Sequence, residues 1–241
     1  MERLSDEAIA VLWEEAKHVV HIRRDPNARR LTLRIRPAKR DVLLSVPPSI
    51  SRSRAINFLE LNICWIHEKL SKLPPLVELV PGSIIPIRGV YYHIVHVPET
   101  RGTAWIDLVA EEGEPTLFVA GRVEHSKRRI KNLLTELARA DLTKSVAHYC
   151  NQLGTALPRI TLRDTSSRWG SCSINGDLSF CWRLIFAPPM VLDYLAAHEV
   201  AHLLESNHSE KFWRTVTRIC GHVEEAERWL RDHGPHLHCY G

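Results

Sequence analysis

From residue 198 the chain reads HEVAHLLESNH, which places His198, Glu199 and His202 in the pattern HExxH. On a helix, residues four apart sit one turn along the same face, about 40° from each other, so two imidazoles can close on one ion. Neutral imidazole nitrogen suits Zn²⁺, and a catalytic zinc site takes three protein ligands and keeps one position open for water. Glu199 is rotated to one side of that ion, where a carboxylate takes a proton from the water rather than binding the metal. With 14 histidines and 19 glutamates in 241 residues, HExxH is expected by chance roughly 0.06 times, so its context has to add weight.

The context is a third imidazole. Ser206 and Asn207 are turn formers that can reverse the chain and aim His208 back at the ion, with the spacing of HExxHxxGxxH enzymes but Glu205 at the glycine position. Glu224, Glu225 and Glu227, 22 to 25 residues past His202, are rival third ligands. His208 is preferred because the turn delivers it directly, while the glutamates read as the solvated face of a helix. The methionines are Met1 and Met190, so no methionine turn follows His208 and the long-motif metzincins are excluded.

These residues need a scaffold. Pro188 and Pro189 open the HExxH helix, since proline at the first helical position lacks an N–H that would have no partner there. Helices are expected from about Ser209 to Gly221 and from Val223 to Gly234, and a long one from about Val123 to Leu153, stopped by Gly154. A short strand at 160–163 and a hairpin through Asn175 and Gly176 precede the motif helix. Upstream, the spacing of Ile9, Leu12, Trp13 and Ala16 predicts a helix over 5–19, and one helix is expected from Ser51 or Ser53 to about Leu73. Residues 31–36 alternate apolar and basic side chains as a strand, with a partner at 42–46. Strands at 84–97, broken by Gly89, and 105–120, broken by Gly113, complete a mostly β first half. The expected organisation is α+β: a mostly β region over 1–120, then a domain over 121–241 made of a long helix, a short antiparallel sheet, the HExxH helix and C-terminal helices.

The stretch SRWGSCS, a glycine turn, then WRLIFAPPMVLDYLAAHEVAHLLESNHSEKFW resembles the YgjP-like metallopeptidases, relatives of the SprT-like and WLM zinc proteases. The likeness is dense from Ser167 to Trp213 and looser over RRLTLRIRP, SVPPSIS and the helix through Trp65. It implies a small zincin domain with zinc on His198, His202 and His208 and Glu199 as general base, and it favours His208 over the glutamates. Cys181 stands where that family commonly has Asn. Arg168, Trp169 and Ser171 are candidate substrate-binding residues, with Arg168 orienting a carbonyl or carboxylate; alternatively Trp169 packs, Arg168 pairs with an acid and Gly170 makes a turn. Trp182, Phe212 and Trp213 read as core. His222 is a candidate oxyanion group or a helix-end residue, and His233, His236, His238 and Cys239 form a metal-capable tail or a frayed end.

Composition is ordinary for a globular protein, 44% hydrophobic and 25% charged, which excludes collagen-like and wholly disordered classes. No apolar run approaches the ~20 residues of a membrane helix, and the N-terminus lacks the pattern of a secretory signal. Six cysteines without a CxxC pair read as reduced thiols, so a cytoplasmic protein is expected. The expected partner is a protein or peptide substrate. A net charge of +4 is modest, yet Arg29, Arg30, Arg34, Arg36, Arg128 and Arg129 offer a second reading as a nucleic-acid contact, and a non-proteolytic zinc-binding module is a third.

Overall fold

In this computed structural model the described residues are 7–13, 15–107, 113–166 and 168–241. Ser167, the expected strand segment 108–112, and Ser5, Asp6 and Glu14 of the expected first helix lie outside them. The chain divides into two units, Met1–Pro75 and Leu76–Gly241.

The first unit contains β1 (Glu7–Trp13), β2 (Ala16–Arg24), β3 (Thr32–Arg36), β4 (Asp41–Val46), α1 (Arg52–Leu61) and α2 (Ile63–Ser71). Its sheet has the order β1-β2-β4-β3, with β2 and β4 parallel and both outer pairs antiparallel. The helix expected over 5–19 is therefore a pair of strands. Ile9 and Val11, two apart, pack on the core, while Leu12, assigned to the apolar face of the helix, is 68% exposed. Pairing of β2 with β4, between residues 22 apart in the chain, overrides the local helical spacing. Ser51 caps α1 by accepting from the Arg54 N–H. The single helix expected to Leu73 breaks at Asn62, whose side-chain amide donates to the Phe58 carbonyl.

The second unit starts with β5 (Ile84–Ile87), β6 (Val90–Val97), β7 (Ala104–Asp107) and β8 (Thr116–Ala120), followed by α3 (Ser126–Leu153). These strands form a sheet of order β5-β6-β8-β7, again with its central pair parallel. At 28 residues α3 runs ~42 Å and ends where Gly154 turns left-handed at φ 66°. Next come β9 (Ile160–Arg163), β10 (Gly170–Cys172), β11 (Leu178–Cys181), α4 (Pro189–Ala201), α5 (Glu210–Ile219) and α6 (Val223–Leu237). The small sheet has the order β10-β11-β9 and is mixed: β10 and β11 are antiparallel, β11 and β9 parallel.

The division at Pro75 and Leu76 differs from the boundary expected near residue 121. Ile85, Ile94, Leu117 and Val119 of the second sheet share one core with Leu134 and Leu142 of α3 and with Val191 and Val200 of α4, so residues 79–120 belong with the C-terminal half. The C-terminal end is tied down as well. The Val77 N–H donates to the Cys239 carbonyl, the Gly241 N–H donates to the Val77 carbonyl, and buried Arg183 donates to the Tyr240 carbonyl. Among the described residues, no helix is long and apolar enough to cross a membrane.

Candidate metal centre

Helix α4 carries His198 and Glu199 in its last turn, and His202 caps its C-terminal end. The chain then turns, with the Leu204 and Glu205 N–H groups bonding back to Ala201, and the Asn207 side chain accepts from the Ser209 N–H. Ser209 caps α5. This reversal brings His208 over the helix end, as the turn-forming residues lead one to expect. One ring nitrogen from each of His198, His202 and His208 lies within 4.8 Å of the others. The Nε2 atoms of His198 and His208 are 3.1 Å apart, near the ~3.3 Å that separates two imidazole nitrogens on a tetrahedral zinc.

Each helix-borne ring is oriented from behind. His202 Nδ1 lies 3.0 Å from the Glu205 carbonyl, which can only accept, so Nδ1 carries the proton and Nε2 keeps its lone pair. His198 Nδ1 faces the Tyr194 hydroxyl at 3.4 Å, and that hydroxyl donates to Glu227 Oε1 at 2.8 Å. Beneath the rings lies Phe212, stacked on His202 at 4.4 Å between centroids and edge-on to His198 and His208. Trp213 flanks His198 and His208. Burial, with the neighbouring rings of His202 and His208, pushes the His198 imidazole down to about 4, which keeps it neutral at pH 7; burial also lowers His202.

Glu199 is 4% exposed. Burial pushes its carboxyl up to about 7, against the opposing charge of Arg168. Its side chain lies directly over Gly170 of β10: a Cβ at that position would collide with the Glu199 carboxylate. Gly170 is thus a strand residue whose missing side chain makes room for Glu199, and it does not form a turn. Strand β10 occupies the edge of its sheet and walls a cleft of about 540 Å³ lined by Arg168, Gly170, Ser171, Ile174 and the three histidines. Of the candidate substrate residues, Arg168 and Ser171 line this cleft. Trp169 stacks on His238 with centroids 4.7 Å apart and packs against the core.

The remaining candidates fall elsewhere. Glu227 engages Tyr194, away from any ligand position. Cys181 is buried, and its thiol donates to the Thr165 carbonyl. Trp182 and Phe212 are core, Phe212 serving also as the floor of the imidazole cluster. His222 lies beside Asp193 and Cys220. His238 and Cys239 are buried, so the tail is a packed element instead of a frayed end. Arg36 is held by Asp41 in a two-pronged pair, and Arg129 donates to the Ala120 carbonyl, which leaves Arg29, Arg30, Arg34 and Arg128 exposed among the basic groups considered for nucleic acid. Three roles escaped the sequence reading: Tyr194 behind His198, Glu227 as the acceptor for Tyr194 in place of a metal ligand, and the packing role of Gly170. Tyr194 had a local signal, since it sits four residues before His198 on the same helix face.

The YgjP-like metallopeptidase domain model matches residues 29–233. The chain belongs to the YgjP-like metallopeptidase family. That family implies a bound metal, and the three converging imidazoles are a donor set suited to one. The chain is also similar to the crystal structure of the metallopeptidase zymogen abylysin from Pyrococcus abyssi, at 23% identity over 38% of this chain and 93% of that one, with a TM-score of 0.34. No curated protein matches it.

Proposed function

We propose that this YgjP-like chain is a zinc-dependent peptidase with His198, His202 and His208 as metal ligands and Glu199 as general base. The observation that carries the reading is the convergence of three imidazole nitrogens beside a buried carboxylate and the free edge of a strand. The donors fit zinc: all three are imidazoles, burial keeps His198 neutral at pH 7, and His202 presents Nε2 with its proton fixed on the other side of the ring. Zinc bound there would acidify a water toward pKa ~7 and polarise the carbonyl to be cleaved.

The chain's own residues do the rest. Glu199 accepts a proton from the attacking water on its carboxylate and returns it to the departing amine nitrogen. The open edge of β10 offers backbone N–H and C=O groups to an extended peptide, as in strand addition. Ser171 borders that track, and the Arg168 guanidinium orients a substrate carbonyl or carboxylate. A groove of about 600 Å³ continues along the sheet, lined by Arg159, Arg163 and Arg168, and gives an acidic peptide segment a place to lie.

Glu199→Gln keeps the shape of the side chain and removes its basicity. Peptide hydrolysis should fall to background while zinc content stays at the wild-type level. Wild-type turnover in that variant defeats the assignment. His208→Ala should lose one equivalent of zinc, and a Glu224/Glu225/Glu227 triple alanine variant should lose none.

A further inference from the structure

Helix α4 carries a second group of metal-capable side chains. Asp193 lies on it just over one turn before His198, and its carboxylate meets Cys220, which ends α5, and His222, which precedes α6. One ligand atom from each lies within 4.8 Å of the others. His222 Nε2 is 3.4 Å from Asp193 Oδ2 and 3.4 Å from Cys220 Sγ. A tetrahedral ion with bonds of ~2.0 Å to oxygen and nitrogen and ~2.3 Å to sulfur holds its nitrogen and oxygen ligands roughly 3.3 Å apart, and its nitrogen and sulfur ligands roughly 3.5 Å apart. Both distances from His222 therefore already match ligand spacing, and the third, between Asp193 and Cys220, lies within 4.8 Å.

A single ring nitrogen has one hydrogen or one lone pair, yet here it faces both a carboxylate oxygen and a sulfur. A cation satisfies all three atoms together. The Tyr149 hydroxyl donates to Asp193 Oδ2 at 2.5 Å and aims the carboxylate, the kind of outer support that metal ligands receive. Cys220 is 2% exposed, while Asp193 and His222 keep about a third of their side chains open, so the soft ligand is inside and an ion can arrive from outside. Asp193 also borders a cavity of about 520 Å³ beside Lys144, His148 and Met190.

We propose that Asp193, Cys220 and His222 form a second metal site, separate from the catalytic cleft, that takes a zinc-class divalent cation and clamps the α5–α6 turn onto α4. One sulfur, one imidazole and one carboxylate select a borderline cation such as Zn²⁺ over the hard Mg²⁺ or Ca²⁺. Binding converts the Cys220 thiol to a thiolate and releases one proton to solvent.

Cobalt(II) is the probe, because thiolate-to-cobalt charge transfer in the near ultraviolet reports sulfur ligation and three histidines cannot produce it. Full-length metal-free protein titrated with Co²⁺ should develop this band. It should be lost in Cys220→Ser and kept in a His198→Ala/His202→Ala double variant. Zinc content should be two equivalents in the wild type and one in each of those variants. If Cys220→Ser does not fold, as judged by circular dichroism, His222→Gln must still lose the second equivalent. Zinc saturating at one equivalent in the wild type, absence of the band, or a band that survives Cys220→Ser, which would trace it to another cysteine such as Cys172, overturns the site.

Discussion

The two four-stranded sheets of this protein are built to one plan and put to different uses. Both run in the order of an antiparallel hairpin, a parallel centre and an antiparallel edge, as β1-β2-β4-β3 and β5-β6-β8-β7. The first packs Val20, Val42, Leu44 and Val46 against Ala55, Leu59 and Ile66 of its own two short helices, and that closes its core. The second lies under α3, and through α3 it shares a core with the helix that bears His198 and Glu199. Strand order therefore says little about a sheet's role; the element packed across it decides.

The largest test of this contrast lies in the cores. Leu134→Ala and Leu44→Ala each remove a fully buried side chain and should each cost about 2 to 5 kcal/mol. In segment-resolved hydrogen exchange, Leu134→Ala should loosen residues 76–241 and reduce zinc retention, whereas Leu44→Ala should loosen residues 1–75 and leave zinc content unchanged. Equal zinc loss in both variants breaks the contrast.

Acid should act on the second unit next. Burial, aided by the Arg183 charge, holds His238 down at about 4. The unfolded chain therefore takes up a proton near pH 6.5 that the folded chain refuses, and stability falls as pH drops from about 6.5 to 4, by on the order of 3 kcal/mol. Asp164 extends the trend. Burial opposes its ionisation, but the Arg183 guanidinium outweighs burial and holds the carboxyl at about 2, so that contribution is present above pH 3.8 and lost toward 2. His238→Gln should reduce the first phase in exchange of residues 76–241, with His198, also held at about 4, supplying the rest in metal-free protein; a profile identical to wild type removes His238 as a contributor.

Gly170→Ala comes third. Moving the Glu199 carboxylate by about 1 Å to clear the added methyl should cost roughly 100-fold in kcat with zinc retained, since misplacements of that size carry such penalties. Near-normal kcat would mean that β10 can yield. The smallest effect is expected from Tyr194→Phe, which removes the hydroxyl between His198 and Glu227 and should weaken zinc retention about 10-fold in a chelator competition, with little change in melting temperature.

Much of the scaffold was legible because its signals are local. Pro189 at the start of α4, Ser209 at the cap of α5, Gly154 at the end of α3 and the strand Ile160–Arg163 stand where the sequence places them. So does the meeting of three imidazoles, since a helical turn and a short loop determine it. What escaped depends on residues far apart in the chain. Strand β2 owes its state to β4 and β1 to β2, and Glu227 reaches Tyr194 across 33 residues. Gly170 was readable as a glycine but not as the neighbour of Glu199, because no periodicity records which side chain will lie over an open Cα.

Val77 and residues 239–241 are hydrogen-bonded side by side, so the first residues of the second unit lie next to residues 239–241. A module with adjoining ends can be grafted into a surface loop of another protein, or permuted by joining its ends and opening them elsewhere, with little strain. The unit that carries His198, His202 and His208 is thus architecturally portable.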